Sequence, residues 1–425
     1  MASPPTQTVI LGAGIVGLST AYYLAHAPDV DPSTIHIVES AAELFCSASG
    51  LAGGFLAEDW FAPSVAPLGA LSFRLHKELA EQHDGRNKWG YCLSIGTSLS
   101  QDPENSEEAV LGSGEDWLSN GTSRAKAVGG QDHFEKGEGP AWLNLEPNSS
   151  LEVISQDAST AQIPELMLGR DPKRMCAFLL DQCRERGVHL HHPAKAVGVS
   201  RDEKGLMSAV RVATETGMEV EIPCARLVVT AGAWTPRVFN TLFPKTNVRI
   251  PISPLAGHSL LLRSPRWTKE QEDLGCHAIF ATDTLGFSPE LFSRLTGEIY
   301  IAGLNTTQIP LPELASDVKA KGEAMKQLKD VAATMCGLPD KDDLEILREG
   351  LCYRPVTSSG RPIISRVPDM KLGIQTLGGS RGGVFVAAGH GAWGISQSLG
   401  TGLVMTELMC GKPTSVNIKA LALPA

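Results

Sequence analysis

The chain is predicted to be an α/β protein in which a parallel-sheet domain is interrupted by a second, antiparallel α+β domain. Three observations predict this. The chain opens on Thr8-Val-Ile-Leu-Gly-Ala-Gly-Ile-Val-Gly-Leu-Ser19, an apolar strand running into a glycine turn and a helix. Two later runs, Arg226-Leu-Val-Val-Thr-Ala-Gly-Ala233 and Gly383-Val-Phe-Val-Ala-Ala-Gly389, are apolar strands that end in small residues. Strands apolar on both faces suit the buried centre of a parallel sheet. Between these runs, residues 248–262, 278–287 and 298–304 alternate or are rich in β-formers, which suits an antiparallel layer.

The first turn carries the most information. Gly12, Gly14 and Gly17 fit G-x-G-x-x-G between a strand and a helix, and Ile35-His-Ile-Val-Glu39 is a second strand ending in an acid about twenty residues on. In this pattern Gly12 makes the tight turn, Gly14 lets the backbone approach a pyrophosphate, and Gly17 lets the helix close on the strand. Ile15 and Val16 open a helix whose unpaired N–H groups face phosphate oxygens. Glu39, with Ser40 beside it, can accept from ribose hydroxyls. Together these features read as a Rossmann-type dinucleotide site.

Composition narrows the class. The chain has 425 residues, 42% hydrophobic and 20% charged, with a net charge of −10. That charge, with no Lys/Arg cluster, argues against a nucleic-acid partner. The nine cysteines are scattered and form no C-x-x-C pair, as expected of reduced thiols. No apolar run approaches the ~18 residues of a membrane span. The polar stretch before the first strand leaves no targeting segment, so a cytoplasmic location is expected. Asn120, Asn148 and Asn305 begin formal glycosylation triplets and are expected in surface loops.

Further along, Cys46-Ser-Ala-Ser-Gly-Leu-Ala-Gly-Gly54 is crowded with small residues, as backbone lying flat against a ligand requires. A helix is expected over 69–83. Residues 101–140 are acidic and rich in Gly, Ser and Asn, which reads as a surface insertion. Another helix is expected over 172–186, then strands at 188–191 and 194–200. His189 and His191 share a strand face while His192 points away, and no carboxylate or Cys ligand stands beside them, so no metal site is expected. A hairpin follows at 207–222. An amphipathic helix is expected over 313–336 and a strand over 348–355. The run Gly389-His-Gly-Ala-Trp-Gly394 is expected to open directly onto a helix at 395–410, presenting its N-terminus to a ligand. The parallel-sheet domain is expected in three pieces, 1–84, 161–240 and 347–425, with the second domain in 85–160 and 241–346.

Taken in order, Gly12-x-Gly-x-x-Gly17, Glu39, Ala48-Ser-Gly50, Thr230-Ala-Gly-Ala233, Arg354-Pro-Val-Thr357 with Gly360 and Pro362, and Gly389-His-Gly391 resemble a known series. It is that of the FAD-dependent oxidoreductases of the D-amino-acid oxidase, glycine oxidase and sarcosine oxidase superfamily. The region 48–60 also resembles a fungal branch with a yeast member linked to endosomal trafficking. The resemblance implies a glutathione-reductase-like FAD domain with a substrate domain, and oxidation of the C–N bond of an amino acid or secondary amine by hydride transfer to flavin N5. The other readings are a flavin-bearing interaction or trafficking protein and an NAD-dependent dehydrogenase.

The resemblance also implies residue roles. FAD would lie on the glycine turn and Glu39, with Val197 at the adenine. Ala48, Ser49, Gly50 and Gly53 would pass near the pyrophosphate and flavin, as would Ala231, Gly232 and Trp234. Gly389, His390, Gly391, Ala392, Gly394 and Ile395 would face the pyrimidine edge. Arg354 matches the residue set against the substrate carboxylate, Trp393 could wall the substrate site, and Cys352 aligns with a cysteine that some members bond to the flavin. Tyr353 is expected to be structural, while His258 and Tyr300 are weaker candidates. Two cations of sarcosine oxidases are replaced here by Leu56 and Trp393. The partners implied are a small-molecule amine or amino acid and O2 or another electron acceptor.

Overall fold

The computed structural model describes residues 6–100, 139–144, 152–163, 174–282, 288–295, 297–338 and 341–424. The acidic segment expected to be a surface insertion lies almost wholly outside them, as do Asn120 and Asn148.

The first strand, Thr8–Leu11, is the hub of a six-stranded sheet. In order across the sheet run Ile363–Val367, Gly383–Ala388, Arg226–Val229, Thr8–Leu11, Ile35–Val38 and His189–His191. All neighbours are parallel except the first pair. Side chains alternate between two cores, as the period of a strand demands. Ile10, Ile35, Ile37, Val228 and Phe385 face helices that include Ile15–Ala25, Ala66–His83, Arg174–Glu185 and Ser398–Met409. Val9, Leu11, Leu227, Val229 and Val384 face the small sheet of Ala194–Arg201, Met207–Thr214 and Glu219–Pro223.

An eight-stranded sheet forms the second layer. Its order is Glu345–Thr357, Ile252–Arg263, Ile299–Thr306, Glu290–Ser293, Cys276–Thr282, Cys92–Ser100, Glu152–Gln162 and Phe55–Ala57. It is antiparallel apart from the parallel pair Cys276–Thr282 with Cys92–Ser100. The helix Gly322–Cys336 covers one face through Met325, Leu328 and Ala332. The other face carries Leu261, Phe280, Phe292, Tyr300 and Ala302, packed on Phe55, Trp60 and Trp393.

Three expectations are corrected. The helix expected over 313–336 begins only at Gly322. Glu313 instead pairs with Lys195 and Arg237, at 2.5 and 3.1 Å, and Trp234 Nε1 and Arg237 Nη1 both donate to the Pro312 carbonyl. These bonds hold Pro312 and Glu313 against the first layer, and only a short 3-10 turn over Ala315–Asp317 precedes the helix. The helix expected at 395–410 begins at Ser398, after a tight turn over Gly391–Trp393, so the glycine-rich run is a turn and not the helix N-terminus itself. Asn305 lies on the strand Ile299–Thr306 rather than in a surface loop. Among the described residues no helix is long and apolar enough to cross a membrane. None of the nine cysteines is in a disulfide.

The glycine turn sets how closely the first helix approaches its strand. Gly12 adopts φ 110°, a region that favours glycine. A Cβ on Gly17 would overlap the Gly12 carbonyl oxygen and lie 2.7 Å from Thr230 Oγ1. That hydroxyl donates to the Leu11 and Gly12 carbonyls at 2.9 and 3.2 Å, so neither neighbour is free to retreat. Replacing Gly17 by Ala gains about 1 kcal/mol of helix propensity, but the overlap costs about 1–3 kcal/mol. The urea midpoint of Gly17→Ala is therefore expected below that of the parent, and an equal or higher midpoint would show that the helix can back away.

Two buried histidines fasten the turn after the last parallel strand. His76 Nε2 lies 3.0 Å from the Ile395 carbonyl, and His390 Nε2 lies 3.0 Å from Thr401 Oγ1. Burial lowers both to about 4 from 6.5. The unfolded chain then binds more protons than the folded one between those values, so this stability is intact above about pH 6.5 and is lost as pH falls through 4. The loss is on the order of 3 kcal/mol for each group when complete. Urea unfolding is expected to show the midpoint dropping over pH 6.5–4, with a shallower fall in His76→Gln. An unchanged slope in that variant would remove His76 from the acid response.

Candidate active site

A cavity of about 360 Å³ lies where the carboxyl ends of the parallel strands meet the inner face of the antiparallel sheet. Open α/β sheets place ligands in this position. At one end Glu39 is held by two backbone donors, Ala13 N–H to Oε2 and Ala41 N–H to Oε1, both 2.9 Å. A carboxylate has about four lone-pair sites, so these bonds orient the group and leave acceptor capacity facing the cavity. Next to it the Ile15 N–H, at the helix N-terminus, meets Ser49 Oγ at 2.9 Å. A Cβ on Gly232 would find open space, so that backbone is a cradle rather than a packed contact.

The far end is built by the antiparallel sheet. Arg354 stands on Glu345–Thr357, opposite Leu255. Its guanidinium crosses directly above Gly257, where any Cβ would collide with Nη1, and donates to Asn305 Oδ1 on the next strand. Asn305 reaches this face because the ladder between Ile252–Arg263 and Ile299–Thr306 shifts register, with Gly303 at φ 140°. The extra residue of a bulge re-aims the side chains beyond it. One bond to Asn305 leaves Arg354 further N–H donors for an anion. Tyr300, pushed up to about 12 by burial, stays protonated and donates to the Leu51 carbonyl at 3.2 Å. Glu290, Phe292 and Cys352 complete this wall.

Most residues read from the sequence meet here. Gly12, Gly14, Ile15 and Val16 line the cavity beside Glu39, Ser40 and Val197. Ala48, Ser49 and Gly53 line it from one side, and Ala231, Gly232 and Trp234 from another. His390, Gly391, Ala392, Gly394 and Ile395 lie along it, as does Arg354. Four are not in the lining. Gly17 is under the helix, and the Gly50 carbonyl accepts from Arg348 Nη1 at 3.4 Å. Gly389 backs onto Thr357. Trp393 is buried in the aromatic layer, 4.8 Å from the Phe61 ring and 6.3 Å from that of Phe55. Tyr353 donates to the Pro310 carbonyl at 2.8 Å. His258 is buried, with burial lowering its pKa, and its Nε2 accepts from the Lys321 N–H at 3.4 Å.

Sequence reasoning missed Glu290, Phe292 and Asn305. The strand Glu290–Ser293 has four residues, too few for a period to show. It also missed that His36 joins the other histidines, its ring stacked 4.9 Å from His189 and its Nδ1 3.0 Å from His191 Nε2. Among the described residues no group of His, Cys, Asp or Glu is arranged to hold a metal ion.

Comparison with known proteins agrees with this architecture. The FAD dependent oxidoreductase model, DAO, matches residues 7–408. A Schizosaccharomyces pombe protein named as an oxidoreductase is 31% identical over 97% of this chain and 96% of its own. A D-amino acid dehydrogenase of Neisseria meningitidis serogroup C is 23% identical over 98% of this chain and 99% of its own. Among solved structures, glycine oxidase from Geobacillus kaustophilus superposes with a TM-score of 0.71 at 20% identity, covering 99% of each chain. Iminodiacetate oxidase from Chelativorans sp. BNC1 gives 0.70 at 18% identity, covering 98% of this chain and 99% of that one. At these identities the structures speak for the fold, while the family match spans nearly the whole sequence: the chain belongs to the DAO family of FAD-dependent oxidoreductases.

Proposed function

We propose that this enzyme oxidises the carbon–nitrogen bond of a carboxylate-bearing amine or amino acid, with FAD held noncovalently along the cavity. The observation that carries the substrate reading is Arg354, a half-buried guanidinium over Gly257 at the cavity end away from Glu39. The fit of FAD is supported by the oriented Glu39 carboxylate, the Gly12–Val16 backbone that lines the cavity at the start of the first helix, and the open cradle at Gly232. Bound there, FAD supplies a two-electron acceptor that takes hydride from the carbon bearing the nitrogen.

The chain's own residues do the rest. Glu39 would take the ribose hydroxyls, and the start of the first helix around Gly14–Val16 would face the pyrophosphate. The backbone of Gly391 and Ala392, which lines the cavity, would meet the pyrimidine edge, where donors stabilise developing negative charge. Arg354 grips the substrate carboxylate with its planar fork and so fixes which carbon faces the cofactor. Phe55 and Phe292 keep water from that end. Cys352 contributes a buried thiol to the wall, a small apolar group rather than a tether.

Acid precipitation of the purified protein is expected to leave FAD in the supernatant, identified by mass, and Glu39→Ala is expected to purify with less of it. Loss of a charge-assisted bond of ~1.5–3 kcal/mol corresponds to roughly 10-fold or more in affinity. A yellow pellet would move Cys352 from wall to tether, and nicotinamide nucleotide in place of FAD would overturn the cofactor reading.

Arg354→Ala is expected to slow anaerobic flavin bleaching by a carboxylate-bearing amine by roughly 30-fold or more, because truncating a desolvated charge partner costs ~2–5 kcal/mol. The decarboxylated amine should lose nothing. Arg354→Lys should recover only part, since an ammonium lacks the planar fork. Equal losses on both amines, or none, would return Arg354 to a structural role.

A further inference from the structure

We infer that Asn305 is the residue that makes Arg354 selective for an anion, because it positions the guanidinium without neutralising it; this rests on the reading of Arg354 as the carboxylate clamp. Three neighbouring strands take part. Arg354 stands on Glu345–Thr357, Gly257 on Ile252–Arg263 and Asn305 on Ile299–Thr306. Gly257 is opposite Asn305 in one ladder, and in the other it lies two residues from Leu255, the partner of Arg354. The arginine side chain therefore crosses a whole strand to reach the amide, over two steps of about 4.8 Å between strands. A glycine leaves that path open. A Cβ on Gly257 would overlap Arg354 Nη1 and lie 2.9 Å from Asn305 Oδ1. Asn305 is not in the cavity lining, so it acts through Arg354 as a positioning residue.

The ladder is bent to bring an amide to this place. Ser259 pairs with Ala302, so an unbroken register would set Leu304 opposite Gly257. The extra residue of the bulge sets Asn305 there instead. An amide at this position differs in its effect from either alternative. Arginine only donates, so Asn305 Oδ1 takes one of its five N–H groups and fixes the plane of the fork. A carboxylate in the same place would hold the fork more strongly, in a charge-assisted pair, and would cancel its charge. A leucine would leave a long side chain free to spread over its rotamers. The amide orders the guanidinium and leaves its positive charge uncancelled by this partner, with further N–H donors for the ligand. Selectivity for a carboxylate then depends on the neutrality of residue 305 as much as on the cation it holds.

The test compares glycolate with glycolamide, its uncharged counterpart of the same shape. Both are titrated calorimetrically into the FAD-loaded full-length protein and into variants that retain the parent's FAD content. The parent is expected to bind glycolate roughly 10-fold or more tightly than glycolamide, the worth of a hydrogen bond to a charged group. Asn305→Asp is expected to abolish that preference, since an acid against the fork cancels its charge and repels the ligand, while glycolamide binds as before. Asn305→Ala keeps the charge and loses the order, so glycolate alone weakens, by roughly 5-fold. A purely structural role would weaken both ligands alike. If Asn305→Asp keeps the preference, or loses both ligands equally, the inference about Asn305 is wrong while the clamp stands. If the parent shows no preference, or Arg354→Ala keeps it, the clamp fails and this inference with it. Should Asn305→Asp fail to load FAD, Asn305→Ala decides alone: a fall confined to glycolate supports the inference, and any other result overturns it.

Discussion

The small-residue run between Ser47 and Gly54 is held from both sides, and the rest of the site depends on that grip. On the side of the parallel sheet, Ser49 Oγ accepts from the Ile15 N–H at 2.9 Å, while the Gly54 carbonyl accepts at 2.9 Å from the Ile163 N–H, just past the antiparallel strand Glu152–Gln162. On the side of the antiparallel sheet three donors reach its carbonyls: Arg348 to Gly50, Tyr300 to Leu51 and Arg294 to Gly53, between 3.2 and 3.4 Å. Arg294 is fully buried, with its guanidinium 5.2 Å over the Tyr300 ring. Hydrogen bonds from charged donors are the stronger kind, and a buried carbonyl left without one is costly. The run is therefore a joint, and it fixes the distance across which the two sheets face each other.

The same joint explains why so many distant parts of the chain share one cavity. The strands that start at Thr8, Arg226 and Gly383 run parallel and side by side, so the small residues that follow each of them emerge at one edge. The antiparallel sheet then supplies the opposite wall from strands beginning at Phe55, Glu290, Ile299 and Glu345. Aromatic rings fill the gap behind that wall: Phe55, Phe292 and Tyr300 form a stack with neighbouring centroids 5.8 Å apart. With their faces covered by one another, these rings shape the site and exclude water. The charged groups Arg354 and Glu290 lie among the residues that line it.

Much of the first layer was legible because its signals are local. The glycine turn, its strand and the acid at Glu39 lie within one stretch of chain, and each has a steric or electrostatic reason that survives folding. Arg354 was legible through its place in a family-like order, although nothing nearby in sequence shows that Gly257 must make room for it. What could not be read depends on partners far away. Asn305 reaches Arg354 only because a bulge at Gly303 reverses the alternation, and its triplet suggested a surface loop instead. The residues before Gly322 have helix-forming composition, yet bonds from Lys195, Trp234 and Arg237 hold Pro312 and Glu313 against the first layer, and only a short 3-10 turn over Ala315–Asp317 forms there. Glu290 sits on a strand too short to announce itself.

The claim at the centre of this account is that Arg354 meets a carboxylate beside the isoalloxazine ring of FAD. A crystal structure of the FAD-loaded protein soaked with an unreactive carboxylate such as glycolate tests it most directly. The account predicts the carboxylate on the Arg354 fork, at about the 2.7–2.9 Å of a charge-assisted pair, with the flavin ring against the turn that contains Gly391. A carboxylate bound elsewhere, with Arg354 turned away from the flavin and bonded only to Asn305, would contradict it.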